Sequence, residues 1–179
     1  MVQLGYFLWA MVALFAVIGF IRGSTREMIA MAGIVLGLFV LEQLGDVILT
    51  PLIGSAPLAQ QFYVYAGILT VITLFAYETP ARFERGERAE RSGHDAREGL
   101  QEGLLGATIG GVNAYLFFGS LWYYMDVLHY PLSPSIMAPP LNSASAQFVN
   151  QLPLVFLLEG NLLTLLVIVL FLFVVVVLV

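Results

Sequence analysis

Five apolar runs separated by short polar breaks set the pattern of this chain. A helix crosses the hydrocarbon of a bilayer with about 20 apolar residues, within a range of roughly 17–25. Leu4 to Ile21 carries no charge and meets that length. The pattern predicts membrane helices over 4–21, 25–44, 60–77 and 104–125, with a C-terminal one in 160–179. Glu42 and Gln43 interrupt the far end of the second, and Asp46 to Gly54, with Pro51, reads as a break or a short interfacial segment. The Val174–Val177 run would favour a strand in water. A lone strand in lipid leaves its backbone groups unpaired, so a helix is expected there too.

The first break, Gly19 to Glu27, is a hinge between two apolar runs. Ser24 and Glu27 have the Ser-x-x-Glu spacing of a capping box, which would start the second helix. Arg22 and Arg26 are expected at lipid-headgroup level, where a guanidinium keeps its water and can pair with phosphate. Five further arginines, Arg82, Arg85, Arg88, Arg91 and Arg97, lie in the loop 78–102. By parity both Arg-bearing breaks share one side, while Gly45–Gln61 and the loop 127–159 carry no Arg or Lys. Positive charge marks the cytoplasmic side, so the N-terminus is expected outside. Tyr6, Trp9, Phe62, Tyr63, Trp122, Tyr123 and Tyr124 would form the outer aromatic belt.

Both large loops have a local reading. Glu78/Arg82, Glu84/Arg88 and Glu87/Arg91 are i,i+4 pairs in the favourable order. They predict a short helix weakened by Gly86 and Gly93, either a solvated, self-paired linker or a docking platform. Pro131, Pro134, Pro139, Pro140 and Pro153 exclude a long helix through most of 127–159. Phe148, Leu152, Val155 and Phe156 have the spacing of a helix lying in the interface. Alternatively, the fifth helix begins near Leu154 and carries Glu159.

Composition supports the membrane class: 60% of residues are hydrophobic and 11% charged, with mean hydropathy +0.92. A soluble domain carries roughly 25% charged residues. The expected fold is an all-α integral membrane protein, a bundle of about five helices with small residues at its contacts. Most of the charged residues fall in one loop, so the net charge of −5 points to no partner, nucleic acid included. There is no cysteine, which removes disulfide and thiolate chemistry. The first run lacks a basic leader and has Arg after it, so a cleaved signal peptide is not expected.

Small residues recur at i,i+4: Gly19/Gly23, Gly33/Gly37, Gly99/Gly103 and Gly106/Gly110, with Gly111 beyond. Such spacing lets helices approach closely and gain dispersion contacts. It predicts that the second and fourth long helices pack, within the chain or in an oligomer; lining a substrate path is the other reading. Asn113, near the middle of the fourth, is expected to make an interhelical hydrogen bond or to line a solute site. No span shows the pair of ionisable groups expected of a proton-coupled transporter. Glu42 lies near the outer end of its helix, within reach of water. His94 and Glu98 have metal-compatible spacing, but two ligands do not make a site; His129 could ligate a pigment or haem, or simply sit at the interface. No nucleophile elbow, phosphate loop or zinc-protease motif occurs, so no catalytic residue, cofactor or metal is assigned.

Three stretches resemble the CvpA (colicin V production protein) family of bacterial inner-membrane proteins. They are Gly19-Phe-Ile-Arg-Gly-Ser-Thr-Arg-Glu27 leading into Gly33-Ile-Val-Leu-Gly37, Glu102-Gly-Leu-Leu-Gly106-Ala-Thr-Ile-Gly110, and Ser135 to Pro153. Together they cover residues 1–153 in order. The chain departs from that family where Gly5 and Tyr6 replace an acidic residue and where Asn113 replaces a basic one. The long Arg/Glu loop and the fifth helix are further departures. The resemblance implies a non-enzymatic protein of the inner membrane, linked to colicin V production, toxin export or envelope function. Alternatives are an accessory subunit of a larger, energy-transducing or photosynthetic complex, and a small channel or transporter. The expected partners are the lipid bilayer and either further copies of the chain or other membrane proteins.

Overall fold

A computed structural model describes residues 4–78 and 96–178. Among the described residues there is no strand, and five helices are long and apolar enough to cross a membrane. Such a set of helices is compatible with a multi-pass membrane protein. The long helices are α1 (Leu4–Arg22), α2 (Ser24–Leu44), α4 (Leu58–Glu78), α5 (Ala96–Val127) and α8 (Leu162–Leu178). Short helices α3 (Thr50–Ile53), α6 (Ala144–Phe148) and α7 (Pro153–Leu158) fill the connections.

Two helices form the centre. The apolar stretches of α5 and α2 are 44% and 39% buried, against 11% for α1 and 17% for α4. Helix α1 runs along α5, α4 packs on α2, and α8 rests against α2 and α7. The buried core therefore follows the α2–α5 seam, through Ile34, Leu38, Leu69, Leu116, Leu152 and Leu154. Large apolar side chains such as Ile21, Leu74 and Phe75 face outward, as lipid-facing surfaces do.

Several boundaries differ from the sequence reading. Helix α5 is already formed at Ala96, well before residue 104, because no proline interrupts the run before Pro131 and glycine alone does not break a helix in this setting. The expected break after α2 is helical: a π turn, Gly45–Leu49, runs directly into α3. The segment Ala144–Leu158 is two short helices and a 3₁₀ turn, because Pro153 starts a new helix. Glu159 falls at a kink, where Gly160 (φ 61°) and Asn161 (φ 59°) turn the chain before α8. The i,i+4 pairs of the 78–102 loop, with Arg82, Arg85, Arg88, Arg91 and His94, lie outside the described residues. Arg97 falls within α5.

Candidate functional site

Helix α1 ends at Arg22 and α2 begins at Ser24, so the whole reversal is made at Gly23. Its backbone (φ 86°, ψ 161°) lies where side-chain-bearing residues are strained, which makes glycine the fitting residue. The tight turn brings the last turn of α1 beside the first turn of α2. Glu27 consequently points inward and is fully buried.

Four helices converge on its carboxylate. Arg22 pairs through Nη1 with Oε1 of Glu27 at 2.8 Å and donates through Nη2 to the Tyr77 carbonyl oxygen at 3.0 Å. The same guanidinium lies 4.4 Å from the Tyr77 ring centroid, a cation–π distance. The Tyr77 hydroxyl, from the last turn of α4, donates to Oε2 of Glu27 at 3.0 Å. Asn113 of α5 donates through Nδ2 to that Oε2 and to the Glu27 main-chain oxygen, both at 2.9 Å.

All these side chains present hydrogens to the carboxylate, which suits its ionised, acceptor-only form. Arg22 balances the charge. A buried charge without such partners costs several kcal/mol, and an intact buried pair contributes little net stability. The cluster therefore specifies which helices meet and in what register, more than it adds to stability.

The sequence reading placed these residues differently. Ser24 makes no side-chain cap bond to α2; Gly23 is the N-cap, and the Glu27 carboxylate is turned into the bundle. Arg22 turns into the bundle to pair with Glu27, with only 19% of its side chain exposed; Arg26 is half-buried. The supposed lack of an interior ionisable pair is likewise overturned by Arg22 and Glu27. Tyr77 was not singled out at all. A basic and an acidic residue flanking a glycine turn between two uncharged runs is the signal that could have found the pair.

The small residues divide between two seams. A Cβ on Gly19 would overlap the Gly106 carbonyl and approach Gly110, and one on Gly106 would overlap Gly19. Gly111 faces Val12 and Ala16 at ordinary contact distance. These glycines thus lie where α1 and α5 backbones nearly touch. Gly33 and Gly37 instead meet Ala76 and Ile72 of α4. Helices α2 and α5 do contact each other, but their glycines face different neighbours.

At the opposite end of the α2–α5 seam, the Tyr124 hydroxyl donates to Oε1 of Glu42 at 2.8 Å, and Tyr65 stacks on Tyr124. His129 is exposed just past α5. Among the described residues, no three metal-binding side chains gather. Comparison with protein families, curated proteins and solved structures finds no match for this chain.

Proposed function

We propose that the chain is a non-enzymatic, CvpA-like protein of the bacterial cytoplasmic membrane, with its N-terminus outside, serving toxin export or the cell envelope through contacts between helices and with other membrane proteins. The supporting observation is how the interior polar groups are used. Glu27, Arg22, Tyr77 and Asn113 bond to one another across four helices. That arrangement fixes a scaffold whose outer faces are left for lipid and partners. The CvpA-like stretches supply the cellular context, and the arginine distribution supplies the orientation.

Purification of the full chain in mild detergent tests the reading. A homo-oligomer or a stoichiometric membrane partner is expected, and the protein in liposomes is expected to leave solute flux unchanged. A reproducible flux would overturn it in favour of a small channel or transporter. Orientation has its own test, because the chain lacks cysteine. Leu141, 94% exposed, changed to cysteine is expected to react with a membrane-impermeant maleimide added outside intact cells.

The accessory-subunit reading is favoured by α8, which leaves Leu165, Ile168, Val169 and Phe171 exposed along one surface. A fixed set of unlike partners, with no homo-oligomer, would select it.

A further inference from the structure

We infer that the end of the bundle away from the Gly23 hinge holds a binding site for a quaternary ammonium group, built on Glu42 and three tyrosines. A cavity of about 170 Å³ opens there between α2, α4 and α5. Its walls include Glu42, Gly45, Gln61, Tyr65, Tyr123 and Tyr124. That volume is several times the roughly 30 Å³ a water molecule takes in the liquid, enough for a small organic cation.

The local backbone makes the space. Helix α2 passes into the π turn Gly45–Leu49, and such widened turns often accompany functional sites because they displace the wall of a helix. Gly45, at the start of that turn, leaves room beside Tyr65. A Cβ added to it would stand 3.6 Å from the Tyr65 hydroxyl oxygen, in ordinary contact, so alanine would fill the space without a clash.

The chemistry of the walls selects a cation. The Tyr124 hydrogen is committed to Oε1 of Glu42. Both Gln61 donor bonds go to loop carbonyls, those of Gly54 at 3.2 Å and Ala56 at 2.9 Å, so its amide oxygen is what remains to offer. Among the described residues the cavity is thus walled by a carboxylate, acceptor oxygens, aromatic rings and the apolar Leu41, Val127 and Leu128, with no basic side chain. Tyr65 and Tyr124 stack at 5.0 Å between centroids and 29° between planes, and Tyr123 meets Tyr124 edge-on at 5.7 Å. Tyrosine rings beside a carboxylate match a weakly hydrated quaternary ammonium ion. A hard divalent ion would need about six to eight oxygen ligands, and the described lining residues supply one carboxylate. The site stands independently of whether the bundle is a scaffold or a subunit.

The ammonium group could belong to a free solute or to a lipid headgroup, and the test separates them. The full chain in phosphatidylglycerol nanodiscs is titrated with choline chloride, with sodium chloride at equal ionic strength as control. In parallel, protein extracted from phosphatidylcholine nanodiscs is assayed for retained lipid by native mass spectrometry. Saturable choline binding, or selective retention of phosphatidylcholine, is expected from the native chain and identifies the source. Glu42→Gln, which keeps the size of the side chain, and Gly45→Ala are each expected to weaken that binding at least tenfold, with helical content and elution unchanged. Failure of both ligands to bind the native chain overturns the inference. So does native-like binding by both variants.

Discussion

Asn113 spends one amide nitrogen on two oxygens of a single residue far away in sequence, the side-chain Oε2 and the main-chain oxygen of Glu27, each at 2.9 Å. This ties the middle of α5 to the first turn of α2, and no apolar side chain can replace it. Asn113→Leu is expected to destabilise the bundle by about 1–3 kcal/mol, the cost of a buried charged group left short of a donor. Thermal unfolding in detergent measures it. Glu27→Gln removes the counter-charge of Arg22 and should itself destabilise. It should cost less in the Asn113→Leu background than in the native chain, because the charge needing the Asn113 donor is gone. Simple additivity of the two changes would show that the residues do not act together.

Arg22 uses its guanidinium three ways: the ion pair to Glu27, the donor bond to the Tyr77 carbonyl, and the stack on the Tyr77 ring. A lysine ammonium is a single point donor and cannot hold that fork geometry. Arg22→Lys is therefore expected to lower stability measurably while keeping the charge, and Arg22→Ala to cost more, about 3–5 kcal/mol, by stranding Glu27. Equal stability of native protein and Arg22→Lys would show that charge alone matters here.

The near contact of α1 and α5 backbones makes the glycines there unequal to the others. Gly19→Ala or Gly106→Ala must push the helices apart, since the new Cβ would overlap backbone atoms that cannot rotate away. A loss of about 1–3 kcal/mol is expected, as for other overpacked cores. Gly67, which meets nothing within 4 Å, is the control. Gly67→Ala should be neutral or slightly stabilising, because alanine is the better helix former. Comparable melting temperatures for all three variants would remove the close approach as a constraint.

The long helices were legible because length and apolarity are local properties: Leu4 to Ile21 announces a span without reference to any other residue. The site was less legible because its members are brought together only by folding. Tyr77 and Glu27 are joined through the packing of α4 on α2, and nothing in the composition around either residue encodes that pairing. Where two physical solutions compete, spacing alone misleads. Ser24 and Glu27 have the interval of a cap, yet the Gly23 turn swings Glu27 toward Arg22, Tyr77 and Asn113, and those donors win. Likewise the i,i+4 glycines identify a face of a helix but not its partner, so Gly33 and Gly37 belong to α4 and Gly106 and Gly110 to α1.

Beyond α5, Tyr130 is buried and accepts a hydrogen bond from the Trp122 indole at 3.1 Å. Burial, reinforced by the nearby Asp126 carboxylate, pushes its hydroxyl from the ordinary value of 10.0 up to about 12. The folded state thus holds the phenolic proton to a higher pH than the unfolded chain does. Its contribution is fully present below pH 10 and is lost as pH rises towards about 12, because over that interval only the unfolded state has released the proton. Stability in detergent is therefore expected to fall across that window. Tyr130→Phe should flatten this part of the profile, at the expense of an unpartnered Trp122 N–H, about 1–3 kcal/mol at neutral pH. Melting temperature against pH for both proteins decides the matter, and identical slopes between pH 10 and 12 would assign the alkaline loss to other tyrosines.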